Sequence, residues 1–201
     1  MTPTTLWSRF DSHVLELLIG LGLLLVGLFQ ALFPILGVTG PFPPIDTRDV
    51  TLRSTSQVPH LASGGTALRG THHAELAVDD PGLGDRLLLA APEVARAVLI
   101  VVILSILMRM AATLRTGDVF VPANVRRLFA ISTAVLLLGA AVPALDMVTT
   151  NALVGGTPLA PAVEVGFMLR ASDILLAVLI AALAGAFAHG ARLRADTEGL
   201  V

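Results

Sequence analysis

The sequence predicts an integral membrane α-helical protein, a four-transmembrane-helix bundle carrying a small extracytoplasmic antiparallel β cap. Three observations carry this. Of 201 residues, 55% are hydrophobic and 14% charged, against about 25% charged in an ordinary soluble domain. Four apolar runs are each long enough to cross a hydrocarbon core of about 30 Å. The polar stretches after the first and third runs contain side chains that alternate with a period of two, as strands do.

The formal net charge is −2, so nothing invites direct nucleic-acid binding, and the lipid bilayer is the first expected partner. There is no Cys, which removes disulfides and thiolate metal sites. Every basic residue is Arg, a composition we read as that of a GC-rich bacterial genome. Tyr is absent and Trp7 stands alone, so an interfacial aromatic belt must rely on Trp7 and Phe.

Residues 1–13 are short and polar. Residues 14–36 form the first span, interrupted only by Glu16 and Gln30. At 1.5 Å per residue its roughly 23 residues make about 34 Å of helix. That is longer than the apolar region of a signal peptide, and it exits through Gly37-Val-Thr-Gly-Pro-Phe-Pro-Pro44 rather than a small-residue cleavage site.

Residues 37–92 form a β-rich loop. Val50 and Leu52 share one face of a strand; Ala74, Leu76 and Val78 share a face of another, with His73 and Glu75 opposite. Ser63-Gly-Gly-Thr66 and Asp79-Asp-Pro-Gly82 read as turns, and Arg86–Ala90 as a third short strand. Three strands alone are marginal in water, so the sheet is expected to lean on the helices or on another strand.

Pro92-Glu93 suits a helix start, giving a second span over 93–114. A polar turn over 115–127 leads to a third span over 128–148, with Pro143 as its expected kink. The loop over 149–172 holds an alternating stretch, Val163 to Leu169, expected to pair with the first sheet. The fourth span covers 173–191, with Ala181/Gly185 and Ala182/Ala186 as a packing stripe, before a polar tail over 192–201.

Arginine sets the threading. Arg9, then Arg115, Arg126 and Arg127, then Arg192 and Arg194 fall on one side; the short opposite loop has only Arg170, and the long loop's Arg48, Arg53, Arg69 and Arg86 count little because a loop of that length is a poor voter. By the positive-inside rule both termini and the central turn are expected to be cytoplasmic, in a multi-pass protein of the bacterial plasma membrane.

Two charge groups call for partners. Glu16 and Arg109 sit at similar depth within spans, where an ionised group costs about 2.5–3.5 kcal/mol, so they are expected to pair or snorkel. Arg96, Asp146 and Asp173 could form a cluster at the other face. His72 and His73 are neighbours on a strand and point to opposite faces, so they cannot chelate one ion together; His60 adds no ligand spacing. No phosphate loop, dinucleotide fingerprint, nucleophile elbow or zinc-protease motif is present. No cofactor, metal site or catalytic set is expected.

Gly117-Asp118, Phe120, Pro122, Asn124 and Arg127-Leu128 lead into the third span. The fourth span ends through Phe187, Gly190 and Leu193 into an acidic tail, Asp196 to Val201. This pattern resembles the bacterial membrane family known as domain of unknown function 2975. The likeness covers the second to fourth spans best, while the first loop matches only in position. The family places Ser or Thr before the Pro and often an acid after it; Val121 and Ala123 stand there here, so this turn does not serve as a helix cap of that kind. The resemblance implies four membrane helices. Because relatives are encoded beside a small helix-turn-helix regulator, it also implies tethering or control of such a regulator. No catalytic residues come with it.

These readings converge on a non-catalytic sensor or membrane anchor controlling a cytoplasmic regulator, with Arg115, Arg126 and Arg127 as the candidate docking surface. The alternative is an accessory subunit of a larger membrane complex, bound to another membrane subunit, or a small carrier. For a carrier, Gln30, Ser105, Ser132 and Thr133 make a thin lining.

Overall fold

A computed structural model describes residues 4–40, 42–43, 45–54, 62–63, 66–67, 71–115 and 121–198. The chain opens with α1 (Thr4–Leu25), passes through a π-helical stretch at Val26–Leu32, and continues as α2 (Phe33–Thr39). Pro34 explains the widened stretch: it has no amide hydrogen for the Gln30 carbonyl, and its ring crowds the preceding turn. Three further helices follow: α3 (Leu83–Arg115), α4 (Pro122–Val154) and α5 (Ala171–Glu198). Among the described residues, four helical stretches are long and apolar enough to cross a membrane: His13–Thr39, Leu83–Thr113, Pro122–Val154 and Ala171–Leu193.

The chain forms two compact units. A helical unit comprises Met1–Leu32, Ala95–Val142 and Leu169–Val201; a sheet unit comprises Phe33–Val94 and Pro143–Met168.

In the sheet unit, Gly40 turns the chain out of α2 with φ +105°, a conformation that favours glycine, and its amide closes the helix on the Leu36 carbonyl at 3.0 Å. Phe42 folds back to stack on Phe33, with centroids 5.5 Å apart. Strand β1 (Thr47–Thr51) then pairs antiparallel with β4 (His73–Ala77), Val50 opposite Ala74 and Arg48 opposite Leu76. A two-residue pair, β2 (Ala62–Ser63) with β3 (Thr66–Ala67), flanks the expected glycine turn, whose Gly64 and Gly65 lie outside the described residues.

The alternation expected in β1 and β4 holds: Val50 and Leu76 are buried while His73 and Glu75 are exposed. Their buried face packs on Val154 at the end of α4 and on Val163, with Ala74, Leu153 and Val165 around them. The sheet thus leans on a helix end, as its small size requires.

Three expectations are corrected. Arg86–Ala90 is not a strand but part of α3, which begins at Leu83 instead of at Pro92-Glu93. The Asp79–Gly82 turn supplies the reason. The Asp85 carboxylate accepts from the Gly82 amide at 3.1 Å, one half of a capping box, and the Arg86 amide makes the first helical bond to the Gly82 carbonyl at 3.0 Å. The strand expected over Val163–Leu169 contracts to one bridge, Val163 opposite Leu52, with the Glu164 amide donating to the Thr51 carbonyl and the Arg53 amide to the Ala162 carbonyl. Val163 and Val165 find the apolar cover of Val50 and Leu76; beyond Gly166, Phe167 to Leu169 find none and stay exposed.

The third correction concerns helix packing in the helical unit. On α5 the buried small residues are Ala177 and Ala184, whereas Gly185 meets open space and Ala182 and Ala186 are exposed. The Ser132 hydroxyl of α4 donates to the Ala177 carbonyl at 2.7 Å. About two turns further along α4, a Cβ placed on Gly139 would lie 2.6 Å from the Asp173 Cβ, so these two helices approach too closely there for any side chain. On α1, Gly20 and Gly22 face Met108 and Leu104 of α3.

The two glycines therefore separate by substitution. Gly139→Ala is expected to cost about 1–3 kcal/mol through overpacking. Gly185→Ala is expected to be neutral or to stabilise by up to about 1 kcal/mol. Thermal unfolding of the two variants in detergent checks this, and equal losses would overturn the packing described.

Candidate functional site

Two polar assemblies stand out, one in each unit. The first centres on Arg48 in β1. Proline inside a helix leaves the carbonyl four residues earlier without its amide. Pro92 does this to Leu88 of α3, and Nη1 of Arg48 donates to that carbonyl at 3.4 Å. The same nitrogen donates to the Thr149 hydroxyl at 2.8 Å. Nη2 donates to the Asp146 carbonyl at 3.2 Å and forms an ion pair with the Asp146 carboxylate.

One guanidinium therefore ties β1 to the start of α3 and the end of α4. Its side chain is 8% exposed and that of Asp146 is 54% exposed. Solvent weakens the ion pair on its open side, so the neutral acceptors contribute alongside it. Thr149 itself donates to the Leu145 carbonyl at 2.8 Å, which aims its oxygen at Arg48.

The second assembly joins α3 to α4. Asn124 is 1% exposed. Its Nδ2 donates to the Thr113 hydroxyl at 2.9 Å, while that hydroxyl donates to the Met110 carbonyl at 2.7 Å. Nη1 of Arg127 donates to Asn124 Oδ1 at 2.9 Å and to the Arg109 carbonyl at 3.2 Å. The Asn124 amide closes the turn onto the Val121 carbonyl at 2.9 Å. A buried amide flanked by apolar Leu128 and Ile131 would be costly unpaired, and here its oxygen and side-chain nitrogen both have partners.

Against these, the residues expected from sequence fall as follows. Of the candidate docking arginines, Arg126 is exposed, Arg127 is turned onto α3, and the Arg115 side chain lies outside the described residues. Asp146 of the expected Arg96–Asp146–Asp173 cluster is engaged by Arg48; Asp173 backs onto Gly139 and takes a bond from the Ser172 hydroxyl at 3.3 Å; Arg96 is exposed on α3 and has a partner of its own. Glu16 is half-buried and engaged with other groups of the chain, while the Arg109 side chain is exposed. His73 is exposed, and the His72 ring nitrogen lies 3.1 Å from the Leu52 carbonyl. His60 lies outside the described residues.

Sequence reasoning missed Arg48, grouping it with the loop arginines, and noticed Asn124 only through a family pattern. A signal for Arg48 existed: a proline within the apolar run frees a carbonyl, and a strand arginine is long enough to reach one. The roles of the adjacent arginines should divide. Asn124→Leu or Arg127→Gln is expected to lower stability by about 1–3 kcal/mol, because each strands buried partners. Arg126→Gln should change it by less than about 0.5 kcal/mol. Denaturation of the three variants in the same micelle checks this; a large loss at Arg126 would overturn the division.

Asn124 and Arg127 of α4, two of the residues that first suggested a family, thus form one hydrogen-bonded junction with Thr113 and the Arg109 carbonyl of α3. No curated protein and no solved structure matches the chain. Residues 58–201, which hold α3, α4, α5 and the turn between them, match the family model described as protein of unknown function DUF2975, and the chain belongs to that family.

Proposed function

We propose that this chain is a non-catalytic, multi-pass protein of the bacterial plasma membrane, a sensor or anchor that controls a cytoplasmic regulator. In this reading the sheet unit lies outside, while both termini and the α3–α4 turn face the cytoplasm. The arginine distribution supports the orientation, with Arg9, Arg115, Arg126, Arg127, Arg192 and Arg194 on one side and Arg170 on the short opposite loop.

One observation carries the functional reading. The same two helices, α3 and α4, are held by Arg48 at the start of one and the end of the other, and by Asn124 and Arg127 at their junction. A ligand that displaces β1 pulls on both helices through one guanidinium. Near the start of α4, the exposed Arg126 offers a cationic grip to a soluble partner. Glu16 and Arg109, near that same end, would be held as a pair or snorkel to the interface.

The threading is checked with single cysteines, since the chain has none of its own. In intact cells an impermeant thiol reagent is expected to label Ser54→Cys and Thr157→Cys but not Thr116→Cys. The reverse pattern would invert the whole arrangement.

The docking role is checked by pull-down. Because Arg127 is committed to the junction, Arg126→Ala is the informative variant. A desolvated arginine contact commonly costs about 2 kcal/mol on truncation, roughly thirtyfold in affinity, so a bound regulator should be released. A contact to anionic lipid would instead give a salt-sensitive change of about 1 kcal/mol with no partner lost. Recovery of membrane subunits alone, with no soluble protein, would overturn this proposal in favour of an accessory subunit.

A further inference from the structure

Beyond Val165, the stretch between the Val163 bridge and α5 leaves three consecutive apolar side chains exposed. Phe167 is 49% exposed, Met168 71% and Leu169 42%. They are consecutive, so in an extended chain they point alternately to opposite sides, and no single sheet face could bury them all. Water is a poor surrounding for three such neighbours.

The backbone narrows the answer. Among the described residues, the hydrogen bonds of this stretch lie at its two ends: the Glu164 amide on the Thr51 carbonyl, and the Asp173 amide on the Arg170 carbonyl at 3.0 Å. The peptide groups between them need water, which the hydrocarbon core does not supply. A medium that is apolar toward side chains yet wet at the backbone is the headgroup boundary of a bilayer.

Two further features agree. The stretch runs directly into α5, whose Leu175, Leu176, Val178 and Leu179 are exposed on a helix long and apolar enough to cross a membrane. Arg170, exposed beside it, carries the charge that lipid phosphate attracts. With no Tyr and only Trp7 in the chain, Phe167 is one of the few aromatics able to fill an interfacial position.

We propose that Phe167–Arg170 is a lipid-binding strap: Phe167, Met168 and Leu169 seat among phospholipid headgroups and upper acyl chains, and Arg170 contacts phosphate.

The test places a tryptophan in the strap of the full chain, after Trp7→Phe removes the native one, and reconstitutes the protein in phosphatidylcholine–phosphatidylglycerol vesicles. Phe167→Trp is the first probe, Met168→Trp a second should the first misfold, and Leu179→Trp on α5 is the control. The strap probe should emit at shorter wavelength than tryptophan in water. It should lose emission to lipids brominated near the headgroup and be spared by aqueous iodide.

Full quenching by iodide would place the strap in water and overturn the proposal. Protection from both quenchers would also overturn it, by showing protein cover such as a second copy of this chain. The control separates a further failure. If Leu179→Trp is itself open to iodide, α5 does not enter the bilayer, and the membrane reading falls together with the strap.

Discussion

The guanidinium of Arg48 resolves a problem that Pro92 creates. A proline within α3 leaves the Leu88 carbonyl without its helical amide. Arg48 reaches that carbonyl from β1 and, with its remaining donors, holds Thr149 and Asp146 of α4. Two paired strands with a few buried side chains are not stable by themselves. Here they are fastened by a planar, multiply donating group to two helices, and packed through Val50 and Leu76 onto Val154. Lysine could not take its place, since a single ammonium lacks the fork that spans acceptors on three residues.

The α3–α4 junction solves a similar problem with a neutral residue. Asn124 is buried where the chain reverses, and its amide has both a donor and an acceptor to satisfy. Thr113 takes the hydrogen and Arg127 supplies one, while Arg127 also reaches the Arg109 carbonyl. Fully satisfied polar networks of this kind fix one arrangement of helices, because any other register would leave a buried amide unpaired.

Close approach is the third device. Apolar contact is non-directional, so the arrangement of helices this apolar depends on small residues and interhelical hydrogen bonds. Gly139 against Asp173, with Ser132 bonded to the Ala177 carbonyl, brings both into one α4–α5 contact. On α1, Gly20 and Gly22 accommodate Met108 and Leu104 of α3.

What the sequence by itself determined was set by local periodicity and length. Four apolar runs of sufficient length, the faces of β1 and β4, and the DUF2975 pattern around Asn124 could each be read from neighbouring residues. What it left open depended on partners distant in the chain. Leu87 to Ala90 is a short apolar run compatible with strand or helix, and the Asp85 cap on Gly82 decided it. Val163 to Leu169 alternates as a strand does, yet only its first residues meet an apolar surface to pair against. Arg48 looked like any loop arginine, because the carbonyl it satisfies is 40 residues away and the hydroxyl 101. Which small residues of α5 pack was likewise decided by α4, since spacing defines several stripes on a helix and only a neighbouring helix selects one.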